Sequence, residues 1–277
     1  MMKLIADSGS TKTDWALVGT DGLVRVMKTQ GINPIHQTED TIRTIVRDEL
    51  KVQMAGESIA QVFFYGSGVR PDKEQQMAVV LSEELGAPAV EAKGDLLGAA
   101  RALCGHEEGI ACILGTGANS CLFDGISLVQ NTPPMGYILG DEGSGAVLGR
   151  ELLNALYKGL LPRDLLQAFE HAYALSLSDV IERVYRRPMA NRFLASLSPF
   201  IHQHLHVEAV QQMVEESMRR FIRRNVAPYQ RRDLPLAAVG SIAYYYSEQL
   251  RQAAQKEGYA VGKIERSPLE ALVEYHR

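Results

Sequence analysis

Apolar and polar positions alternate through KLIADSGSTKTDWALVG and again through LVRVMKT near the start of the chain. That period of two predicts strands KLIAD, TDWALVG and LVRVMKT, joined by the hydroxyl-rich turn SGSTK and by Asp21-Gly22, a pair suited to a tight hairpin. The plan recurs over residues 109–130 as strand GIACIL, turn GTGAN, strand SCLF, turn Asp124-Gly125 and strand ISLVQ. Few residues coincide between the two passages, so the repeat is one of architecture.

Between the copies the period becomes helical. DTIRTIVRDELKV sets Ile42, Ile45, Val46 and Leu50 on one face, and KEQQMAVVLSEELG ends at Gly86, the residue type favoured just past a helix C-terminus. GDLLGAARALCG reads as a helix with Asp95 placed to cap it, and QVFFYGSGV and APAVEAK read as strands. Strands alternating with helices after an antiparallel start predict an α/β fold with a mixed sheet and helices on its faces. Beyond Gly136 the pattern is mostly helical to about Gln230. Then come strand LPLAAVGS running into Gly240, helix AYYYSEQLRQAAQKEG and a last helix PLEALVEYHR. No linker separates these parts, and a boundary after residue 107, giving lobes 1–107 and 108–277, rests on the repeat alone.

Length and composition narrow the class. The 277 residues suit two domains or one large one, and 46% hydrophobic with 22% charged residues is ordinary for a globular protein. A net charge of −4 gives no footprint for nucleic acid or acidic membrane, so a small molecule is the expected partner. Cys104, Cys112 and Cys121 are odd in number and lack a CxxC, which argues against a disulfide framework or a zinc or iron–sulfur set. Asp7 interrupts the first apolar run and no later run is long enough to span a membrane, so the cytoplasm is the expected location.

The turns carry the candidate chemistry. A Gly turn between strands exposes backbone N–H groups, and with hydroxyls around it can cradle phosphate oxygens. Asp7 ends its strand where a carboxylate could hold Mg²⁺ against them. One such turn alone reads first as a hairpin whose Asp and Ser bond their own backbone, but a second at GTGAN, in a matching place, favours the phosphate reading. No GxxxxGK[ST] occurs, so neither is a P-loop.

DSGSTKTD, LGTGANS and VGSIA, in that order, resemble the phosphate 1, phosphate 2 and adenosine motifs of the actin, sugar kinase and Hsp70 ATPase superfamily. GINP, GDLLGAA and GYILGDEGSG narrow the resemblance to the N-acetylglucosamine kinase and BadF/BadG/BcrA/BcrD ATPase branch, over almost the whole chain. It implies two related ribonuclease H-like domains with a nucleotide cleft between them, the last helix, about 268–277, crossing back to the first lobe, and ATP with Mg²⁺ as cofactors. By the same resemblance Asp7 holds the metal, and Gly9, Ser10, Thr11, Lys12 and Thr13 surround the phosphates. Asp95 is the general base, while Gly115, Thr116 and Gly117 form the second turn, and Gly240 packs on adenosine. Asn33, Asn119 and Asp141 bind the sugar. The implied reaction is phosphorylation of an amino sugar, N-acetylglucosamine or N-acetylmuramic acid, at its 6-hydroxyl; a homodimer is left open. The chain departs from the family where Met135 replaces a common Trp and Ser241 a common Gly, and it is short for the family.

Plainer readings stand beside these. Taken singly, Asp95 and Asp141 read first as helix caps, and Asn33 before Pro34 as a turn residue. His202 and His206 share a helical face without a third ligand. The run RRFIRRNVAPYQRR, with Arg219, Arg220, Arg223, Arg224, Arg231 and Arg232, reads as a solvated helix face, with steering of an anionic substrate or partner as a subsidiary role. GSGAVLG reads as a close-packed helix start. Two other functions remain in view: a dehydratase-activator ATPase, whose relatives use paired cysteines for an iron–sulfur cluster, and an ATP-binding sensor without catalysis.

Overall fold

A computed structural model describes every residue except Met1 and Ser10. The chain divides into two compact units, one of Met1–Glu107, Gly125–Ser127 and Ser267–Arg277, the other of Glu108–Asp124 and Leu128–Arg266.

In the first unit β1 (Met2–Ser8), β2 (Lys12–Gly19) and β3 (Gly22–Gln30) form an antiparallel meander. β4 (Ile59–Gly66) and β5 (Ala89–Gly94) then add in parallel on the other side of β1, for the order β3-β2-β1-β4-β5. Because strand side chains alternate, β1 buries Leu4 and Ala6 on one face and Ile5 on the other. The Leu4 face packs against Ile42, Ile45, Val46 and Leu50 of the helical stretch from Glu39 to Met54, and against Met77, Val80 and Leu81 of the helix Pro71–Leu85. The Ile5 face receives Ala102 of the helix Asp95–Cys104 and Leu269, Leu272 and Val273 of the helix Leu269–Tyr275.

A polar seam ties these two helices to the sheet. Tyr65 Oη lies 2.7 Å from His276 Nε2 and accepts from Arg101 Nη1 at 2.5 Å, and Arg101 also pairs with Glu91. Gly98, one turn after Asp95, sits so close to Tyr65 that an added Cβ would stand 2.7 Å from the tyrosine Cβ. Burial pushes the Tyr65 hydroxyl up to about 12 and the His276 ring down to about 4, so both are neutral near pH 7.

The second unit repeats the plan. β6 (Glu108–Leu114), β7 (Ala118–Asp124) and β8 (Leu128–Gln130) form the meander, and β9 (Leu236–Val239) and β10 (Val261–Glu265) add in parallel, for the order β10-β9-β6-β7-β8. Strand for strand this is the order of the first sheet, so the architectural repeat read from the two meanders extends to all five strands. β10 was not expected: VGKIE is short, contains Gly262, and lies at the sheet edge, where little burial marks it. The helix read through AYYYSEQLRQAAQKEG is broken at Tyr246, whose backbone leaves helical geometry while its buried ring donates its hydroxyl to Ser198 O at 2.7 Å.

From Gly136 to Tyr229 the chain is largely helical and buries one continuous core around Leu148, Leu152, Phe169, Val214 and Phe221. The arginine run proves to be paired: Arg219 and Arg223 meet Glu257, Arg220 meets Glu151, Arg224 meets Glu142, and Arg231 meets Glu108 and Asp233. Arg232 lies over the Tyr259 ring. Such local pairing leaves little unbalanced positive field to steer a distant anion. Among the described residues no helix is long and apolar enough to cross a membrane.

Candidate active site

Asp7 stands opposite Asp14 on β2 and beside Tyr65 on β4. Directly paired antiparallel residues share a face, so both carboxylates lie on the sheet face that carries Ile5 and is covered by the Asp95 helix. Burial, then the charges of Asp95 and Asp14, push the Asp7 carboxyl up to about 7, against an opposing pull from Lys12. Asp95 is itself pushed up to about 6 by burial, opposed by N–H groups of Leu96 and of Asp95. Asp95 is the first residue of its helix, while Gly94 occupies the cap position without a side-chain bond. The expected capping geometry is therefore shifted by one residue, and the carboxylate is held by the helix start rather than capping it.

Asp14 is a member that sequence reading passed over. It is only 6% exposed; one oxygen meets Lys12 Nζ at 2.5 Å, and the other is buried without a partner among the described residues. A charged residue within the otherwise apolar strand TDWALVG was the available signal. Asp7, its carboxyl raised, faces Asp14 with its orphaned oxygen, a pair of oxygen donors suited to a hard divalent cation.

The turn above them is rigid beneath and open above. Ser8 and Thr13 are fully buried, their hydroxyls 2.7 Å apart. Ser8 exchanges bonds with Ile32 N and O, and Thr13 donates to Gln30 O at 3.1 Å. Thr13 thus braces the turn from below, whereas Thr11 and Lys12 are exposed. Gly9 N donates to Lys12 O at 3.0 Å, and a Cβ at Gly9 would find its nearest neighbour at 3.8 Å. The chain's own packing does not demand glycine there, which leaves the bare backbone available to a ligand. Ser10, the remaining phosphate candidate, lies outside the described residues. Asn33 is buried under the Gly66–Gly68 turn: its Oδ1 accepts from Ile35 N at 2.9 Å, and a Cβ at Gly68 would come within 2.3 Å of it.

In the second unit the matching turn is docked on a helix. Gly115 O accepts from Gly145 N at 2.8 Å and Thr116 O from Ala146 N, at the start of the helix Gly145–Tyr157. Ser144 caps that helix, so Asp141 is released from the capping role. Asp141 instead sits at φ 52° and receives the N–H groups of Ala118 and Gly136, and burial pushes its carboxyl up to about 6. A left-handed non-glycine backbone is a strained state that packing must enforce. At Gly115 a Cβ would meet nothing within 4 Å, again an open glycine. Gly240 differs: φ is 121° and a Cβ would lie 2.3 Å from Leu114 O, so here the fold itself requires glycine.

Glu142, next to Asp141, has a structural task. Burial opposes its ionisation, but hydrogen bonds from Asn225, its own amide and Arg224 outweigh that and hold the carboxyl below the usual range. His202 packs against Tyr245 and Tyr246, while His204 lies near His206; the helix ends at Gln203, so His206 falls beyond it and does not share a helical face with His202. Among the described residues no group of three metal-binding side chains forms a metal site.

Two sheets of one strand order, each opening on a meander with an unclad glycine turn, define the ribonuclease H-like fold of actin-like ATPases. The chain is similar to a candidate N-acetylglucosamine kinase from Porphyromonas gingivalis, with 48% identity and a TM-score of 0.97 over 99% of this chain and 98% of that one. It shares the fold of a candidate N-acetylglucosamine kinase from Chromobacterium violaceum, at 18% identity and TM-score 0.78 over 100% and 99% of the two chains. It also shares that of a ROK hexokinase from Thermus thermophilus, at 15% identity and TM-score 0.51 over 99% and 97%. No family model matches the chain, and no curated protein is significantly similar to it. The chain belongs to the N-acetylglucosamine kinase family of actin-like sugar kinases.

Proposed function

We propose that the protein transfers the γ-phosphoryl group of ATP to the 6-hydroxyl of an amino sugar, N-acetylglucosamine or N-acetylmuramic acid. The supporting observation is Asp95: a carboxylate fixed at a helix start, raised toward neutrality, and electrostatically coupled to Asp7 beside an open glycine turn. In the reaction Asp95 accepts the proton of the sugar hydroxyl, that oxygen bonds to the γ-phosphorus, and the bond to the ADP oxygen breaks. A pKa near working pH suits a base that must take up and return a proton.

Asp7, with Asp14 behind it, would hold Mg²⁺, which when bound offsets phosphate charge. N–H groups around Gly9 and Gly115 would orient phosphate oxygens, and adenosine would pack beside Gly240. Asn33, Asn119 and Asp141 would bind sugar hydroxyls. The activator-type alternative fares worse: Cys112 and Cys121 lie on opposite faces of the second sheet, both buried, because Cys121 pairs with Ala111 and Cys112 with Ser120.

A coupled ADP-release assay over a sugar panel, with mass spectrometry of the products, tests the reading. An amino sugar should raise turnover above background and gain one phosphoryl group; ADP release indifferent to every sugar would refute it.

A further inference from the structure

Asn119 is held in one orientation by its surroundings. Its Oδ1 accepts the backbone N–H of Ser120 at 2.9 Å and a proton from Asn131 Nδ2, also at 2.9 Å. The same Nδ2 reaches Ser120 O at 2.7 Å and Thr132 O at 3.2 Å. A backbone N–H can only donate and a carbonyl can only accept, so these contacts fix both amides. Flipping Asn119 would set its NH₂ against the Ser120 N–H and the Asn131 NH₂, three donors with no acceptor.

The segment bearing Asn131 is anchored from below. Thr132 N donates to Tyr229 Oη at 3.1 Å, Thr132 Oγ1 donates to Asn225 O at 2.9 Å, and Ser120 Oγ joins the same two groups. Both lone pairs of Asn119 Oδ1 are thereby occupied, which leaves its Nδ2 with two N–H donors and no acceptor among the described residues. Close by, Asp141 takes the N–H of Ala118, and its Oδ2 lies 3.0 Å from where a Gly117 Cβ would stand. One edge of the turn therefore presents a donor at residue 119 and an acceptor at residue 141.

We propose that Asn131 is a specificity-determining positioning residue: by holding Asn119 Oδ1 it commits residue 119 to donate, so that Asn119 and Asp141 select a sugar edge offering one acceptor oxygen and one donor hydroxyl. This rests on the sugar-kinase reading above. Asn131 itself touches no substrate and acts only through Asn119.

Asn131→Asp tests it most sharply, because a carboxylate has no proton for Asn119 Oδ1 and attracts the Asn119 NH₂ instead. The KM for the sugar should rise roughly 10- to 100-fold, since the substitution replaces a hydrogen bond with a mismatch and turns the Asn119 donor away from the sugar. Meanwhile kcat and the KM for ATP should stay within about twofold. In an Asn119→Ala background the same substitution should add nothing to the sugar KM. Additive effects in that double-mutant cycle, or equal losses in sugar and ATP KM with a lowered Tm, overturn the proposal. Side-chain amide exchange followed by NMR reads the orientation without turnover: Asn131 NH₂ should be protected and Asn119 NH₂ should exchange freely. The reverse pattern overturns the proposal whether or not a sugar is phosphorylated. A wild-type protein that turns over no sugar defeats the kinase reading and, with it, the specificity assigned here.

Discussion

The two units are built on one sheet plan, yet their first turns have gone different ways. In the first, the strand ends converge acids: Asp7 and Asp14 face one another and the Asp95 helix adds a third, so the site is a concentration of negative charge. In the second, the turn carries no acid of its own and is docked by backbone bonds onto the start of the helix Gly145–Tyr157, with asparagine amides arranged around it. Duplicated architecture thus carries two kinds of turn, one rich in carboxyls and one rich in amides, which under the proposed function would handle charge and protons in the first and hydrogen-bonding patterns in the second. What differs is a few side chains at equivalent strand ends, while the core beneath is served by the same alternation.

Asp95→Asn should break this contrast most severely. Turnover should fall about 10³-fold or more, because the amide cannot take up a proton. Stability should move the other way. A carboxyl raised to about 6 when folded favours folding fully below its unfolded value near 4, and that benefit is lost as pH rises through about 6. The free Asp95→Asn protein should therefore be more stable than wild type at pH 8 by on the order of 1 kcal/mol, the gap closing toward pH 4. Denaturant melts at the two pH values check this, and wild-type kcat/KM should climb through about pH 6 as the base ionises.

Gly240→Ala attacks the second unit. Its Cβ would stand 2.3 Å from Leu114 O at a φ of 121°. A loss of roughly 3 kcal/mol is expected, from backbone strain and displaced strand ends. The parallel change at the open glycine, Gly115→Ala, should leave stability within about 0.5 kcal/mol and weaken only nucleotide binding. Thermal melts and an ATP titration separate the two. Equal melting losses would mean that the glycines serve alike and the distinction between them is wrong.

Thr13→Val removes the hydroxyl that braces the first turn from beneath, at a cost of about 1–2 kcal/mol by leaving Ser8 and Gln30 O short of a partner. Arg223→Ala, in the paired arginine run, should change stability by less than about 1 kcal/mol and leave the sugar KM unmoved at low salt, as for a surface ion pair.

Both meanders were legible because strict alternation, two Asp-Gly turns and a glycine turn in each left little choice. Asp95 was visible too, though placed one residue early as a cap. Three features escaped. β10 is an edge strand whose VGKIE has no apolar run, and only its pairing with β9 makes it a strand. Asp14 closes the motif DSGSTKTD, but its place in the site depends on facing Asp7 across β1 and β2. Asn131 gains its meaning wholly from the neighbour it holds, twelve residues away in sequence. Local pattern predicts elements, whereas a residue that works through another becomes visible only when the elements are assembled.

The contact between Gly98 and Tyr65 can be viewed as a matter of machining tolerance. The Asp95 helix is seated against its sheet with no spacer, and a single methyl at residue 98, 2.7 Å from the Tyr65 Cβ, would serve as a shim that lifts the helix off the sheet. Since Asp95, the proposed proton acceptor, lies one turn away on the same rigid rod, position 98 works as an adjusting screw remote from the chemistry. A laboratory wishing to detune the base without altering its charge would turn that screw first.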